Sequence, residues 1–190
     1  MKLIKYFVIF LFVISLNSCG YKSGSLLQND LKSIYINNFF NKIDISKEVS
    51  DKRSNYSYYP GLEVEITKEV INRFIFDGSL SVRSENHSDL ILRGALVDYK
   101  KFPLSYVDDD DDENDDDRKE DDVEELRIEI VVELELYDRN KQELLWKESS
   151  FRGQSSYSLV GPNKRTETEC IKEAVKDLAE RIIERTVEAW

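Results

Sequence analysis

The chain has 190 residues, of which 41% are hydrophobic and 34% charged, and a formal net charge of −11. That length suits one domain behind a short leader, and the composition excludes a collagen-like or multiply membrane-spanning chain. The acidic balance also disfavours a nucleic-acid partner, because a phosphate backbone is bound by a basic stripe.

Lys2 and Lys5 precede an apolar run of eleven residues, Tyr6 to Leu16. A bilayer span needs roughly 20, so residues 1–18 read as a cleaved signal peptide. Leu16-Asn17-Ser18-Cys19 resembles a bacterial lipobox, with a branched apolar residue, a small residue and then the cysteine whose thiol takes a diacylglycerol. Asn17 is a less usual choice at its position. Cys19 is therefore the expected lipidation site, and acyl chains buried at about 0.8 kcal/mol per CH2 anchor a protein without a transmembrane helix. Gly20, where Asp would be the alternative, resembles the default that is sorted to the outer membrane, on its periplasmic side. Cys170 is the other cysteine, so once Cys19 carries lipid no internal disulfide is available. The fold must then hold by its core, with Cys170 expected as a small, half-buried filler.

Residues 19–30 read as a tether and 31–190 as a single domain. Leu31 to Phe39 alternates apolar and polar residues and predicts a first strand. Lys42 to Tyr59 has no period and reads as a loop. Pro60-Gly61 then opens a helix over Leu62 to Phe76, where Leu62, Ile66, Val70, Ile71, Phe74 and Ile75 recur at helical spacing. Asp77-Gly78 closes it, since glycine takes the left-handed conformation that follows a helix. Short and longer strands follow at Leu80 to Arg83 and Leu90 to Lys101.

Asp108 to Asp117 is acidic at nine of ten positions, and the stretch 108–125 holds 14 acids against two bases. Repulsion and the lack of apolar residues predict an extended or disordered hairpin loop at about 107–124. The rest of the mature chain is nearly neutral. Beyond it, Leu126, Ile128, Ile130, Val132, Leu134 and Leu136 alternate with mostly polar residues, the signature of a strand dry on one face and wet on the other. A turn at Asp138-Arg139-Asn140-Lys141 leads into a partner strand, Leu144 to Arg152. Ser155 to Lys164 reads as a loop. Thr166-Glu167-Thr168-Glu169 is a capping-box pattern at the start of a long helix with an apolar side from Ile171 to Val187. The expected fold is α+β, a two-layer sandwich with two helices packed on one face of a mostly antiparallel four- to five-stranded sheet.

Little in the chain can do chemistry. His87 is the single histidine, in a polar turn, so a Ser-His-Asp or Cys-His set would depend on it alone. Zinc would need several His or Cys ligands at short spacing. The acidic run has carboxylates for calcium but not the ligand spacing and glycine of an EF-hand loop. No glycine-rich phosphate loop is present, and no cofactor or metal is expected. Two basic pairs, Lys100-Lys101 and Lys164-Arg165, are either anion contacts or ordinary solvated surface.

Several landmarks fall in order along the chain. They are Cys19-Gly20-Tyr21, Leu31-Lys32-Ser33-Ile34-Tyr35-Ile36, Pro60-Gly61-Leu62-Glu63 through Thr67, Asp77-Gly78, and Ser88-Asp89-Leu90-Ile91-Leu92-Arg93-Gly94. Tyr99, Pro103, Ser105-Tyr106, Glu125-Leu126-Arg127-Ile128, Leu145-Trp146, Gly153 and Tyr157 continue the series. No single piece is specific, but the ordered series resembles the lipopolysaccharide-assembly lipoprotein family LptE over nearly the whole mature chain. The resemblance implies a lipoprotein lodged in the large β-barrel translocon LptD as plug and assembly factor, helping to place lipopolysaccharide in the outer leaflet. The acidic run departs from the family pattern and would repel lipid A phosphates unless divalent cations bridge them. A different reading of the same anchored domain is an accessory of another envelope transporter or of a secretin. A periplasmic hydrolase, the third reading, would require His87.

Overall fold

The computed structural model describes residues 31–43, 59–106 and 123–188. The expected signal peptide, Cys19, the tether and most of the acidic run lie outside the described residues.

Among the described residues six strands and two helices form one two-layer sandwich. The strands are β1 (Ser33–Ile36), β2 (Phe40–Asn41), β3 (Ser81–Val82), β4 (Leu90–Tyr106), β5 (Val123–Asp138) and β6 (Glu143–Ser158). The helices are α1 (Leu62–Asp77) and α2 (Glu167–Glu188). The sheet runs β3-β1-β4-β5-β6, with β2 paired to β4. β1, β2 and β3 pair in parallel, while the long β4-β5-β6 meander is antiparallel. The α+β sandwich therefore stands as expected, with a mixed sheet and one strand more than expected. The extra pairing is β2, two residues on the open side of β4.

The meander is longer than its hydrophobic pattern suggests. β4 continues through Pro103 to Tyr106, and among the described residues this part of β4 pairs with β5 alone, so the missing N–H of Pro103 breaks no second ladder there. Val123 and Glu124, expected in the acidic loop, already belong to β5. β6 runs on through Ser155, Ser156 and Tyr157, which the sequence presents as loop, because each meets a partner on β5. Sixteen or so residues at about 3.3 Å each make an arm on the order of 50 Å long.

One face of the meander is dry. Ile128, Ile130, Val132, Leu134 and Leu136 are all 0% exposed and share a core with Leu90, Leu92 and Leu96 of β4. Both helices close over that face. α1 contributes Leu62, Ile66, Val70 and Phe74, and α2 contributes Ile171, Ala174, Leu178, Ala179 and Ile182. Cys170 is fully buried rather than half-buried, held under the first turn of α2. α2 approaches β6 at Gly153, where an added Cβ would lie 2.6 Å from the carbonyl oxygen of Ala174.

The helix ends follow local chemistry. Glu169 Oε2 accepts from the backbone N of Thr166 at 2.9 Å, and the N–H of Glu169 donates back to Thr166 Oγ1 at 3.3 Å, closing the expected capping box. α1 ends at Gly78, φ 73°, whose N–H donates to Phe74 O. α1 returns the chain to the start of β1, and Ser81 N donates to Lys32 O at 2.9 Å. The C-terminal end of α1, the start of β1 and the β5-β6 turn thus lie at one end of the molecule. The tips of β4 and β5, paired at Tyr106 and Val123, lie at the other.

Candidate docking surface

The sheet face turned away from the helices carries the densest polar arrangement among the described residues. On β5 and β6 alternate side chains point outward, bringing Glu133 and Glu135 beside Lys147. Lys147 Nζ lies 2.8 Å from Glu133 Oε1 and 2.8 Å from Glu135 Oε1. Lys42, just after β2, reaches Glu133 Oε2 at 2.7 Å. Tyr137 OH donates to Glu135 Oε2 at 3.0 Å, and the Arg93 guanidinium lies 4.7 Å from the Tyr137 ring centre. Hydrogen bonds from Lys147 and then Lys42 bring the Glu133 carboxyl down to about 2. The Lys147 hydrogen bond likewise lowers Glu135, and its carboxylate partners, Glu133 first, raise Lys147. Further along the face Lys100 meets Asp98 at 2.6 Å and Arg152 meets Glu129 at 3.6 Å.

Beneath these long side chains Ile91, Ala95 and Val131 are buried, yet they belong to no part of the helix-side core. The charged stems cover them. The result is a flat face of matched charges, able to exchange hydrogen bonds with another polar surface and holding no reactive group.

The two basic pairs are split by the pleat. Lys101 points to the helix side and meets Glu167 at 2.6 Å, where the buried Tyr99 OH also donates at 3.1 Å. Lys100, its neighbour, is on the outer face with Asp98. Arg165 meets Glu173 at 2.6 Å and donates to Ser156 O at 2.8 Å. Lys164 is exposed, in a turn whose backbone bridges to Ser158. Lys101 and Arg165 thus come together around the start of α2, engaged with its acids, while Lys100 faces elsewhere.

Burial pushes the Tyr157 hydroxyl up to about 12, and it raises Tyr99 and the Cys170 thiol as well, which keeps all three protonated and inert. His87 is exposed in a single 3-10 turn, its Nδ1 3.0 Å from Ser84 Oγ. Among the described residues no three His, Cys, Asp or Glu converge to hold a metal, and no helix is long and apolar enough to cross a membrane.

Two features had no clear signal in the sequence. One is the edge of β6, where side chains of α2 and its approach segment take the outward backbone groups. Asp177 Oδ2 accepts from Gln154 N, Arg181 donates to Arg152 O, and Arg165 to Ser156 O. The other is a groove between β2 and α1, lined by Phe39, Phe40, Val64, Thr67 and Ile71, with a buried Glu63 oxygen that has no hydrogen-bond partner among the described residues. Neither depends on a local period; the adjacent Phe39-Phe40 is the one sequence signal that could have pointed to the second.

A family model described as "LptE: Lipopolysaccharide-assembly" matches residues 31–186. No curated protein matches the chain. Among solved structures, a hypothetical protein of Chlamydia trachomatis is 12% identical with a TM-score of 0.47, over 82% of this chain and 95% of that one. A protein of Xanthomonas campestris is 11% identical with a TM-score of 0.49, over 82% and 84%. The rare lipoprotein B of Shewanella oneidensis is 15% identical with a TM-score of 0.41, over 80% and 92%.

Proposed function

From the premise that the chain belongs to the LptE lipopolysaccharide-assembly family, we propose that it is an outer-membrane lipoprotein, anchored through lipid on Cys19, that plugs and helps assemble the β-barrel translocon for lipopolysaccharide. It acts by binding rather than by catalysis. The observation that carries this reading is the family match, which spans 31–186 and so takes in α1, the whole meander and all but the last two residues of α2.

The outer sheet face supports the same reading. Barrel lumens are polar, with lipid-facing and lumen-facing residues alternating along each strand. A face with paired charges, and apolar residues kept beneath long stems, can sit against such a wall without leaving a buried charge unmatched. The arm of β4 and β5 gives reach away from the anchored end.

The experiment is to express the tagged full chain in its own host, extract membranes in mild detergent and identify what co-purifies by mass spectrometry. A stoichiometric large β-barrel protein is the expected result. A transporter or a secretin in its place would overturn the translocon role.

A further inference from the structure

We propose that Ile75 and Phe76, at the C-terminal end of α1, insert into the phospholipid surface beside which the chain is anchored. The inference rests on the reading of Cys19 as a lipid anchor and adds a second, protein-borne contact with the same membrane.

Phe76 is 81% exposed and Ile75 63%, the former the most exposed large apolar side chain among the described residues. Single exposed apolar residues are ordinary; here two stand in succession at the tip of a helix, and their place in the fold is specific. Gly78 ends α1 directly after them, and the chain then enters β3, where Ser81 pairs with Ser33 and donates to Lys32 O. Ile75 and Phe76 therefore lie at the end where residues 19–30 join the domain. Twelve residues reach at most about 40 Å even when fully extended, so this end stays within that distance of the anchoring cysteine.

Charge does not draw this tip to the headgroups. Arg73 pairs with Glu180 and also lies 5.5 Å from the Phe76 ring centre, so its charge is already matched. Asp77 accepts from Ser79 N at 3.1 Å. With Glu184 also beside the ring, carboxylates outnumber the one guanidinium here, so attraction to the membrane comes from the apolar pair and not from headgroup charge. Val64, the other strongly exposed apolar side chain of α1, sits at its opposite end and lines the groove beside β2.

The test uses the full lipidated chain in vesicles of phosphatidylethanolamine and phosphatidylglycerol. An environment-sensitive fluorophore is placed at Phe76→Cys or, as a control at the far tip of the arm, at Leu104→Cys. The expected result is a blue shift at position 76 and loss of its emission when brominated lipids are included, with neither change at position 104. A label at 76 that keeps its emission in water, on chains that float with the vesicles and carry acyl chains on Cys19, overturns the inference and leaves the anchor standing. A blue shift without quenching by brominated lipid places the tip against protein, a second copy included, and overturns it too. Mass spectrometry showing Cys19 without acyl chains sinks the anchor reading instead; in that case quenching at 76 sustains the tip contact, and its absence overturns both.

Discussion

At the scale of single residues, two positions do work that their neighbours cannot take over. Gly153 lets α2 touch the sheet, and a methyl group there would meet the Ala174 carbonyl and the Leu178 backbone, atoms that no side-chain rotation moves aside. Gly153→Ala is expected to cost roughly 1–3 kcal/mol, as overpacking of a tight core does, read as a lower midpoint in urea unfolding. Glu133 acts through charge. Its folded carboxyl is held at about 2 against an ordinary value of 4.5, so its stabilising contribution is complete above pH 4.5 and fades as pH falls toward 2. Glu133→Gln should therefore lower stability at neutral pH and flatten the acid limb across that window, measured by unfolding at a series of pH values. A parallel loss at every pH would show that the lysine contacts to Glu133 are worth nothing to the fold.

At the scale of elements, β6 shows how part of a long outer strand is covered by its own chain. Edge strands expose unpaired N–H and C=O groups that template pairing with other chains. Here Asp177 and Arg181 of α2 cover Gln154 N and Arg152 O. Replacing both by alanine should leave the helix formed and open that stretch of edge, giving concentration-dependent self-association in sedimentation velocity that the wild type lacks. The helices themselves were easy to read from the sequence, because capping box, apolar stripe and closing glycine are all local. β2 and the second half of β6 were not. Phe40-Asn41 and Ser155-Ser156-Tyr157 have no period that distinguishes strand from loop; they are strands because β4 and β5 present ladders beside them.

At the scale of the whole molecule, the fold has two distinct ends. The junction with residues 19–30, the end of α1 and the β5-β6 turn share one end. Tyr106 and Val123, from which the acidic stretch departs, mark the other. Since that pair already closes the ladder, replacing residues 108–121 by Asn-Gly should keep the fold. Each halving of a loop returns only about 0.6 kcal/mol, so the melting temperature should stay level or rise by about a few degrees. A collapse of the melting transition would mean that the acidic stretch supports the meander. The same variant assayed for barrel recovery separates a role in docking from a role in folding.

What the sequence determined by itself was whatever depends on near neighbours along the chain. That covers the lipobox-like start, the two helices with their caps, the one-sided strand from Leu126 to Leu136, and the acidic block, together with the ordered landmarks that resemble the family. Periodicity and capping are short-range effects, so they survive without knowledge of the fold. Tertiary structure alone decided the parallel pairing of β1, β2 and β3, the separation of Lys100 from Lys101 onto opposite faces, the matching of Lys42 and Lys147 to Glu133, and the placing of Phe76 beside the start of β1. Each of these joins residues far apart in the chain, and such partners are chosen by ladder register and packing, which no local pattern encodes.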